Sequence, residues 1–290
     1  MEGCNLCPRG CKVDRNKAVG YCGSGSSVKL ARAAKHFWEE PCISGTEGSG
    51  TVFFSGCTLG CVFCQNREIS RGGAGREVSV SRLVEIFKSL ESQGVHNLNL
   101  VTPTHFTPQI LQALEQAKPV VPVVMNTGGY ERVETLQNWE GKVQIYLPDL
   151  KYFSPELSGK YSGARDYFAV ASKAILEMHR QQPQLVWNGD ILQRGLIIRH
   201  LVLPGGMRDS LAVLDFLDKT LPKESFLLSL MSQFTPTPAC EAYPEINRRV
   251  TTYEYCKVAD RAAELGFSGF AQDRRSAQKE YTPPFDLEGV

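Results

Sequence analysis

The sequence predicts an α/β protein: an open, partial TIM-like (β/α)6 barrel behind a small Cys-rich N-terminal module. Three observations predict it. From residue 50 onward, apolar runs of strand length alternate with stretches whose apolar residues recur every three to four positions, the pattern of βαβ units and a parallel sheet. There are six such units, too few to close an eight-stranded barrel, and crossovers of one hand curl the sheet. Eight of the ten cysteines fall in the first 64 residues, so the front of the chain has a chemistry of its own.

Composition bounds the rest. The chain has 290 residues, net charge +1, 42% hydrophobic and 22% charged residues. That suits one barrel-sized domain with an appendage. The neutral balance argues against a strong nucleic-acid or membrane field. No apolar run reaches membrane-spanning length. Met1-Glu2-Gly3-Cys4 lacks the basic-then-apolar pattern of a signal peptide, so a cytoplasmic protein with reduced thiols is expected. The expected divisions are a metal-binding module over 1–45, the barrel over 46–272 and an extended tail over 273–290, with the basic pair Arg274-Arg275 near its start.

In order, residues 28–38 read as a helix, with His36, Phe37 and Trp38 packing the module onto the barrel and Cys42 as a lone structural thiol. Strands are expected at 51–55, 98–102, 120–125 (irregular at Pro122), 143–147, 196–203 and 226–231. The fifth is nearly continuous in Leu, Ile and Val, as a strand buried on both faces should be. Leu83, Ile86, Phe87 and Leu90 mark one helix face, with Gly94 as its stop. Further helices are expected at 107–118, 131–139, 167–180, 210–221 and 253–265, and long loops at 152–166 and 232–250. Loops that long on a catalytic face are often functional, and Tyr161, Tyr167, Tyr243 and Arg248-Arg249 are candidates to cover a site.

After the first strand comes Cys57-x3-Cys61-x2-Cys64. Three thiolates at this spacing can converge on one iron–sulfur cluster. With no fourth ligand nearby, one iron stays open, as catalytic zinc sites keep an open position. In front of it, Cys4-x2-Cys7-x3-Cys11-x10-Cys22 offers four thiolates among turn-permitting glycines. That set suits a structural zinc or a second [4Fe–4S] cluster, and spacing alone does not choose.

In a parallel β/α barrel the reacting groups come from the C-terminal ends of the strands. Here those ends are Gly56-Cys57, Thr102-Pro103-Thr104-His105, Asn126-Thr127-Gly128-Gly129-Tyr130, Asp149-Leu150-Lys151, Arg199-His200 before Pro204-Gly205-Gly206, and Met231-Ser232-Gln233. Each is polar or glycine-rich, which together predicts a polar pocket at one mouth.

The phrase FFSGCTLGCVFCQN, residues 53–66, resembles the cluster loop of the radical S-adenosylmethionine (radical SAM) superfamily. Within it, the phrase is similar to that of glycyl-radical-enzyme activases such as pyruvate formate-lyase activating enzyme, and the whole chain resembles their PflX-type relatives. The resemblance implies a [4Fe–4S] cluster on Cys57, Cys61 and Cys64. It also implies S-adenosylmethionine (SAM) on the open iron and reductive cleavage of SAM to methionine and a 5′-deoxyadenosyl radical that takes hydrogen from a substrate. An electron donor such as flavodoxin or ferredoxin is implied, as is a glycyl radical enzyme as partner. Asp149-Leu150-Lys151 matches an activase Asp-Leu-Lys motif whose Lys contacts SAM. Ile198-Arg199 before Leu203-Pro204-Gly205 matches a fifth-strand pattern whose Arg does so. Asn126 stands where the activases have Asp, and Phe63 is expected near the adenine. Thr102-Pro103-Thr104 replaces the activase Gly-Gly-Glu that holds the SAM amino group, so Thr102 and Thr104 are the candidates for that role.

Two other readings stand beside this one. Radical modification could fall on another protein, an RNA or a small molecule. Alternatively, both cysteine groups are structural and the protein is a non-catalytic metal-binding or sensing module, which would form no 5′-deoxyadenosine.

Overall fold

The computed structural model describes residues 3–272 and 282–290. The chain runs β1 (Val28–His36), α1 (Pro41–Ser44), β2 (Ser49–Phe54), α2 (Arg67–Ser70), β3 (Arg76–Val78), α3 (Val80–Ser92), β4 (Leu98–Val101), α4 (Thr107–Ala117), β5 (Val123–Thr127), α5 (Val133–Gln137), β6 (Ile145–Pro148), α6 (Pro155–Ser162), α7 (Tyr167–Gln181), β7 (Val186–Asn188), β8 (Ile191–Leu201), α8 (Met207–Thr220), β9 (Leu227–Met231), α9 (Thr252–Glu264) and β10 (Gly269–Ala271). The strands β2-β4-β5-β6-β8-β9-β10 lie side by side and parallel. This is the expected open sheet, with the short β10 as a seventh parallel strand. Pro122 moves the start of β5 to Val123. The expected helix face packs as predicted: α3 starts at Ser79, whose side chain accepts from the Arg82 N–H, and buries Leu83, Ile86, Phe87 and Leu90.

The helix expected over 28–38 is instead the strand β1, which pairs antiparallel with β2 (Ala33 opposite Val52) and with β3. Its Ala-Arg-Ala-Ala core has strong helix propensity, but propensity is a weak prior against a ladder of tertiary hydrogen bonds. Phe37 and Trp38, expected to pack, are about half exposed. Residues 282–290 lie along β1: the Ala33 N–H donates to Glu288 O at 2.8 Å, and Arg32 pairs with Asp286 at 2.6 Å and with Glu288. Arg274 and Arg275 lie outside the described residues. The stretch 152–166 is not a plain loop. It holds α6, capped by Ser154 with Pro155 behind it and closed by Gly163 at φ +60°. Between residues 232 and 250 the chain makes one short 3-10 turn, Pro238–Ala242.

Because β1 is antiparallel, it carries residues 37–40 to the base of the barrel, away from the mouth. There α1 plugs the lumen: Cys42 and Ile43 pack on Val124, Ile145, Leu147, Leu192, Ile197 and Leu227. The larger apolar layer lies between the sheet and its outer helices, with Trp139 fully buried and its indole N–H donating to Thr107 Oγ1 at 3.1 Å. Among the described residues, no helix is long and apolar enough to cross a membrane.

Candidate active site and the two cysteine sets

The strand ends face one cavity of about 890 Å³ that runs from the mouth into the lumen. Cys57, Cys61 and Cys64 line it at the top. The chain leaves β2 through Gly56 at φ +93°, where a Cβ would strike Ser24 Oγ, Cys22 O and His105, so only glycine makes this turn. The three sulfurs feel one another electrostatically. Burial, followed by the charges of Cys61 and Cys64, pushes the Cys57 thiol up to about 12. Burial likewise raises Cys61, partly offset by Lys151. Each sulfur already has a donor: Leu59 N–H to Cys57 Sγ at 3.4 Å, Ser162 Oγ to Cys61 Sγ at 2.9 Å, and Ser70 Oγ to Cys64 Sγ at 3.4 Å.

These residues fit a [4Fe–4S] cluster. Iron would relieve the cost of ionising Cys57 and Cys61, and sulfur-directed hydrogen bonds are a known lever on cluster potential. Among the described residues, no three His, Cys, Asp or Glu side chains stand close enough to hold a single ion. A lone zinc needs all its sulfurs about 2.3 Å from one point. A cubane gives each thiolate its own iron and serves sulfurs set wider apart.

Beside the cysteines, Lys151 also lines the cavity, its ammonium ion-paired with Asp149. Burial pushes this lysine down, but Asp149 and Cys61 outweigh it and hold it above the ordinary lysine range. The Tyr167 hydroxyl, fully buried, accepts from the Lys151 backbone N–H at 3.0 Å and sits 2.9 Å from both Gly128 O and Asp149 O. It is thus a strut under the site, where a covering residue was expected. Tyr161 is buried too, donating to Glu245 at 2.7 Å, and Arg248 is paired with Glu254 at 2.7 Å. Phe63 lines the wall and packs on Phe234, with ring centroids 5.6 Å apart.

Thr102 lines the cavity with φ +59°. That is the left-handed region, unfavourable for a β-branched residue. Thr104 does not reach the cavity: it is buried in the turn after β4, beside the Glu131 carboxyl. Its expected role at a SAM amine therefore has no support in the geometry. His105 is buried as well, its Nε2 2.8 Å from Ser55 O.

Arg199 reaches the cavity from β8, but two carboxylates hold it. Its Nε donates to Glu40 Oε1 at 2.7 Å, and Nη2 donates to Glu40 Oε2 at 2.5 Å and to Glu39. Glu39 also accepts from Asn99 Nδ2 at 2.8 Å and from Asn126 Nδ2 at 3.3 Å. Burial pushes Glu40 up, yet Arg199 and Ser229 more than offset it, leaving the carboxyl below its usual range. Glu39 and Glu40 thus form the floor of the cavity. The sequence reading named neither, because residues 28–38 read as a helix and no local pattern sends the two residues after it into the lumen.

The N-terminal cysteines also gather. A small hairpin is closed by Cys4 N–H to Val13 O at 2.9 Å and Lys12 N–H to Cys4 O at 3.0 Å. The sulfurs of Cys11 and Cys22 both flank Gly20, 3.2 and 3.6 Å from where its Cβ would stand. Burial raises the Cys7 thiol to about 11, and the charges of Cys22 and Cys4 add to the rise. The set is anchored on the barrel by Arg9, which donates to Thr58 O at 2.8 Å, and by Thr135 Oγ1, which donates to Leu6 O at 2.8 Å.

A partial parallel barrel with an open three-thiol loop at its mouth defines a class. The family model for the radical SAM superfamily matches residues 51–205, more than half of the chain, and the chain belongs to that superfamily. An uncharacterized protein, MJ0674, of Methanocaldococcus jannaschii is 28% identical over 272 residues, covering 90% of this chain and 75% of that protein. Among solved structures, Streptococcus suis SuiB bound to precursor peptide SuiA is similar in fold, with TM-score 0.50 and 12% identity, over 76% of this chain and 48% of SuiB. The hydrogenase maturase HydG of Carboxydothermus hydrogenoformans has TM-score 0.49 and 13% identity, over 78% and 53%. The chain thus spans about half the length of these structures.

Proposed function

We propose that this chain is an activase-like radical SAM enzyme that takes hydrogen from a glycyl radical enzyme. One observation carries the reading: the three thiols of the cluster loop share a cavity with Lys151 and Arg199, the two cations that the activase resemblance assigns to SAM. When bound, the cluster supplies one electron that splits SAM into methionine and a 5′-deoxyadenosyl radical, which abstracts hydrogen. The protein does the rest. Cys57, Cys61 and Cys64 hold the iron. Ser162, Ser70 and the Leu59 N–H donate to the sulfurs and tune their potential. Lys151, poised by Asp149 and by the Tyr167 strut, meets the carboxylate of SAM. Arg199 offers Nη1, which lies outside its two ion pairs. Phe63 and Leu59 wall the mouth and keep water from the radical. The cavity is at the upper end of the range of about 300–1,000 Å³ for small-molecule sites, which leaves space for a substrate segment beside SAM.

The electron comes from a flavodoxin- or ferredoxin-class donor in the cytoplasm, where the chain's free thiols stay reduced. A metal on Cys4, Cys7, Cys11 and Cys22 is part of the same proposal. A second reading, radical modification of a different protein, draws on Thr102-Pro103-Thr104, which departs from the activase pattern.

The test is anaerobic. The protein is reconstituted with iron and sulfide, reduced with dithionite and given SAM, and 5′-deoxyadenosine is quantified against Cys57→Ala. Product from the wild type alone supports the radical chemistry, and a glycyl radical raised in a co-purified partner supports the activase role. An iron-free loop at 57–64 would sink both.

A further inference from the structure

We infer that Tyr152 is a positioning residue for the cluster: its phenol directs the Ser162 hydroxyl onto the Cys61 sulfur and so raises the reduction potential of a cluster held by Cys57, Cys61 and Cys64. The inference rests on the radical SAM reading for the presence of that cluster. It adds a residue that acts on the cluster through another side chain.

The local chain explains why these side chains meet. Lys151 and Tyr152 come just after β6; Lys151 lines the cavity, and Tyr152 is fully buried. The chain then enters α6, which ends at Ser162, where Gly163 closes it in the left-handed conformation. That end is docked on the cluster loop. The Val62 N–H donates to Tyr161 O at 2.8 Å. Arg9 donates to Thr58 O at 2.8 Å, to Ser162 O at 3.3 Å and to Gly163 O at 2.6 Å, so one guanidinium ties the loop to the helix end. The docked turn sets the Ser162 hydroxyl 2.9 Å from Cys61 Sγ, and the Tyr152 hydroxyl stands 2.7 Å from the same Ser162 oxygen.

Counting protons fixes the direction of this chain. A serine hydroxyl has one proton to give and can accept besides. A cysteine sulfur bound to iron is a thiolate and only accepts. Ser162 must then give its proton to Cys61. Toward Tyr152 it can only accept, so the phenol donates. A phenol keeps its proton at neutral pH. Among the described residues, Ser162 is the one hydrogen-bond partner of the Tyr152 hydroxyl, so nothing competes for that proton.

The direction has a consequence for the electron. Successive hydrogen bonds in such a chain reinforce one another by about 10–30% each. Tyr152 also anchors Ser162 Oγ. A helical serine otherwise turns its proton to the carbonyl four residues back, here that of Ser158. Reduction adds negative charge to the cluster and its sulfurs, so a hydrogen bond to sulfur favours the reduced form. The phenol is itself held in place. Its ring meets Phe63 edge-on with centroids 6.4 Å apart, and Tyr167 edge-on at 5.4 Å. Tyr152→Phe keeps both ring contacts and deletes only the donor.

The experiment reads the potential, not turnover. Wild type, Tyr152→Phe, Ser162→Ala and the double variant are reconstituted anaerobically with iron and sulfide. Each is titrated with dithionite in the presence of redox mediators, and the reduced cluster is followed by electron paramagnetic resonance. Its signal is the one lost in Cys57→Ala. Ser162→Ala should lower the midpoint by about 59 mV, which is a tenfold weaker hold on the electron. Tyr152→Phe should lower it by about a third as much or more. The double variant should match Ser162→Ala, because Tyr152 acts only through Ser162; a separate structural effect of Tyr152 would add instead. The Fe–S(Cys) stretching band in resonance Raman gives a second readout. It should rise in Tyr152→Phe as the hydrogen bond to sulfur weakens. An unchanged midpoint and band in Tyr152→Phe, or additive effects in the double variant, overturns the inference while the bound cluster leaves the radical SAM reading standing. A loop at 57–64 that takes up no iron strikes both.

Discussion

Arg199 Nε donates to Glu40 Oε1 across 2.7 Å, joining the end of β8 to a turn 159 residues earlier in the chain. Both side chains are nearly buried, and Glu39 completes the group from the other side. A charge of this kind is tolerated only while it is paired. Removing one partner of a buried pair costs about 3–5 kcal/mol, because the other is left without compensation. Since Glu39 still faces Arg199, Glu40→Gln is expected near the lower end, about 3 kcal/mol. Urea unfolding of the purified protein measures it, and a loss below about 1 kcal/mol would show that the floor is not a structural unit.

The neighbouring position gives a pH dependence. His200 is fully buried, with Nδ1 donating to Leu150 O at 2.6 Å and Nε2 accepting from Ser210 Oγ at 2.8 Å. Burial first of all lowers its pKa to about 4, from 6.5. Between those values the unfolded chain binds a proton that the folded chain refuses, so stability is present above 6.5 and is lost as the pH falls towards 4. The full effect is about 3 kcal/mol. Wild type should lose that much more stability than His200→Gln between pH 7 and pH 4. Parallel profiles for the two proteins would refute the assignment.

Lys151 lines the cavity beside the cluster cysteines and is paired with a single acid, Asp149. Lys151→Met keeps the length of the side chain and deletes its charge. A hydrogen bond to a charged group is worth about 1.5–3 kcal/mol, so SAM affinity should drop about 10- to 100-fold. Equilibrium dialysis of the iron-loaded protein with SAM reads this. Unchanged affinity with an intact iron count would move the carboxylate contact to another residue.

How far the sequence could be read follows from where each signal lay. That Cys57, Cys61 and Cys64 share one cavity was legible because the three side chains follow one strand on one short loop. The place of Lys151 and Arg199 in the cavity lining was legible because barrel geometry sends strand ends to one mouth. Glu39 and Glu40 were not, since their partner lies about 160 residues away and β1, which delivers them, looks like a helix until β2 pairs with it. That Thr104 is buried outside the cavity lining was not legible either, since the short 3-10 turn after β4 that holds it leaves no mark in the periodicity. In contrast, α6 was announced by Ser154-Pro155, a cap-and-proline signal that the length of the apparent loop obscured.

Thr102 gives the sharpest test of the site's backbone. It sits at φ +59°, its N–H donating to Asn126 O at 2.8 Å, at the position where the activase pattern has its first glycine. The chain therefore keeps a glycine-like backbone with a threonine among the residues that line the cavity. Strain of this kind is worth about 1–3 kcal/mol. Thr102→Gly removes it but adds about 0.4–1 kcal/mol of unfolded-chain entropy, so a net gain of about 1 kcal/mol is expected. Thr102→Val keeps the branching and the strain and deletes only the hydroxyl, so its stability should match the wild type. If the hydroxyl serves the SAM amine, both variants bind SAM more weakly, and only the glycine variant unfolds later in urea. Equal stabilities for Thr102→Gly and Thr102→Val would mean that the backbone is not strained. SAM binding unchanged in both would remove Thr102 from the site.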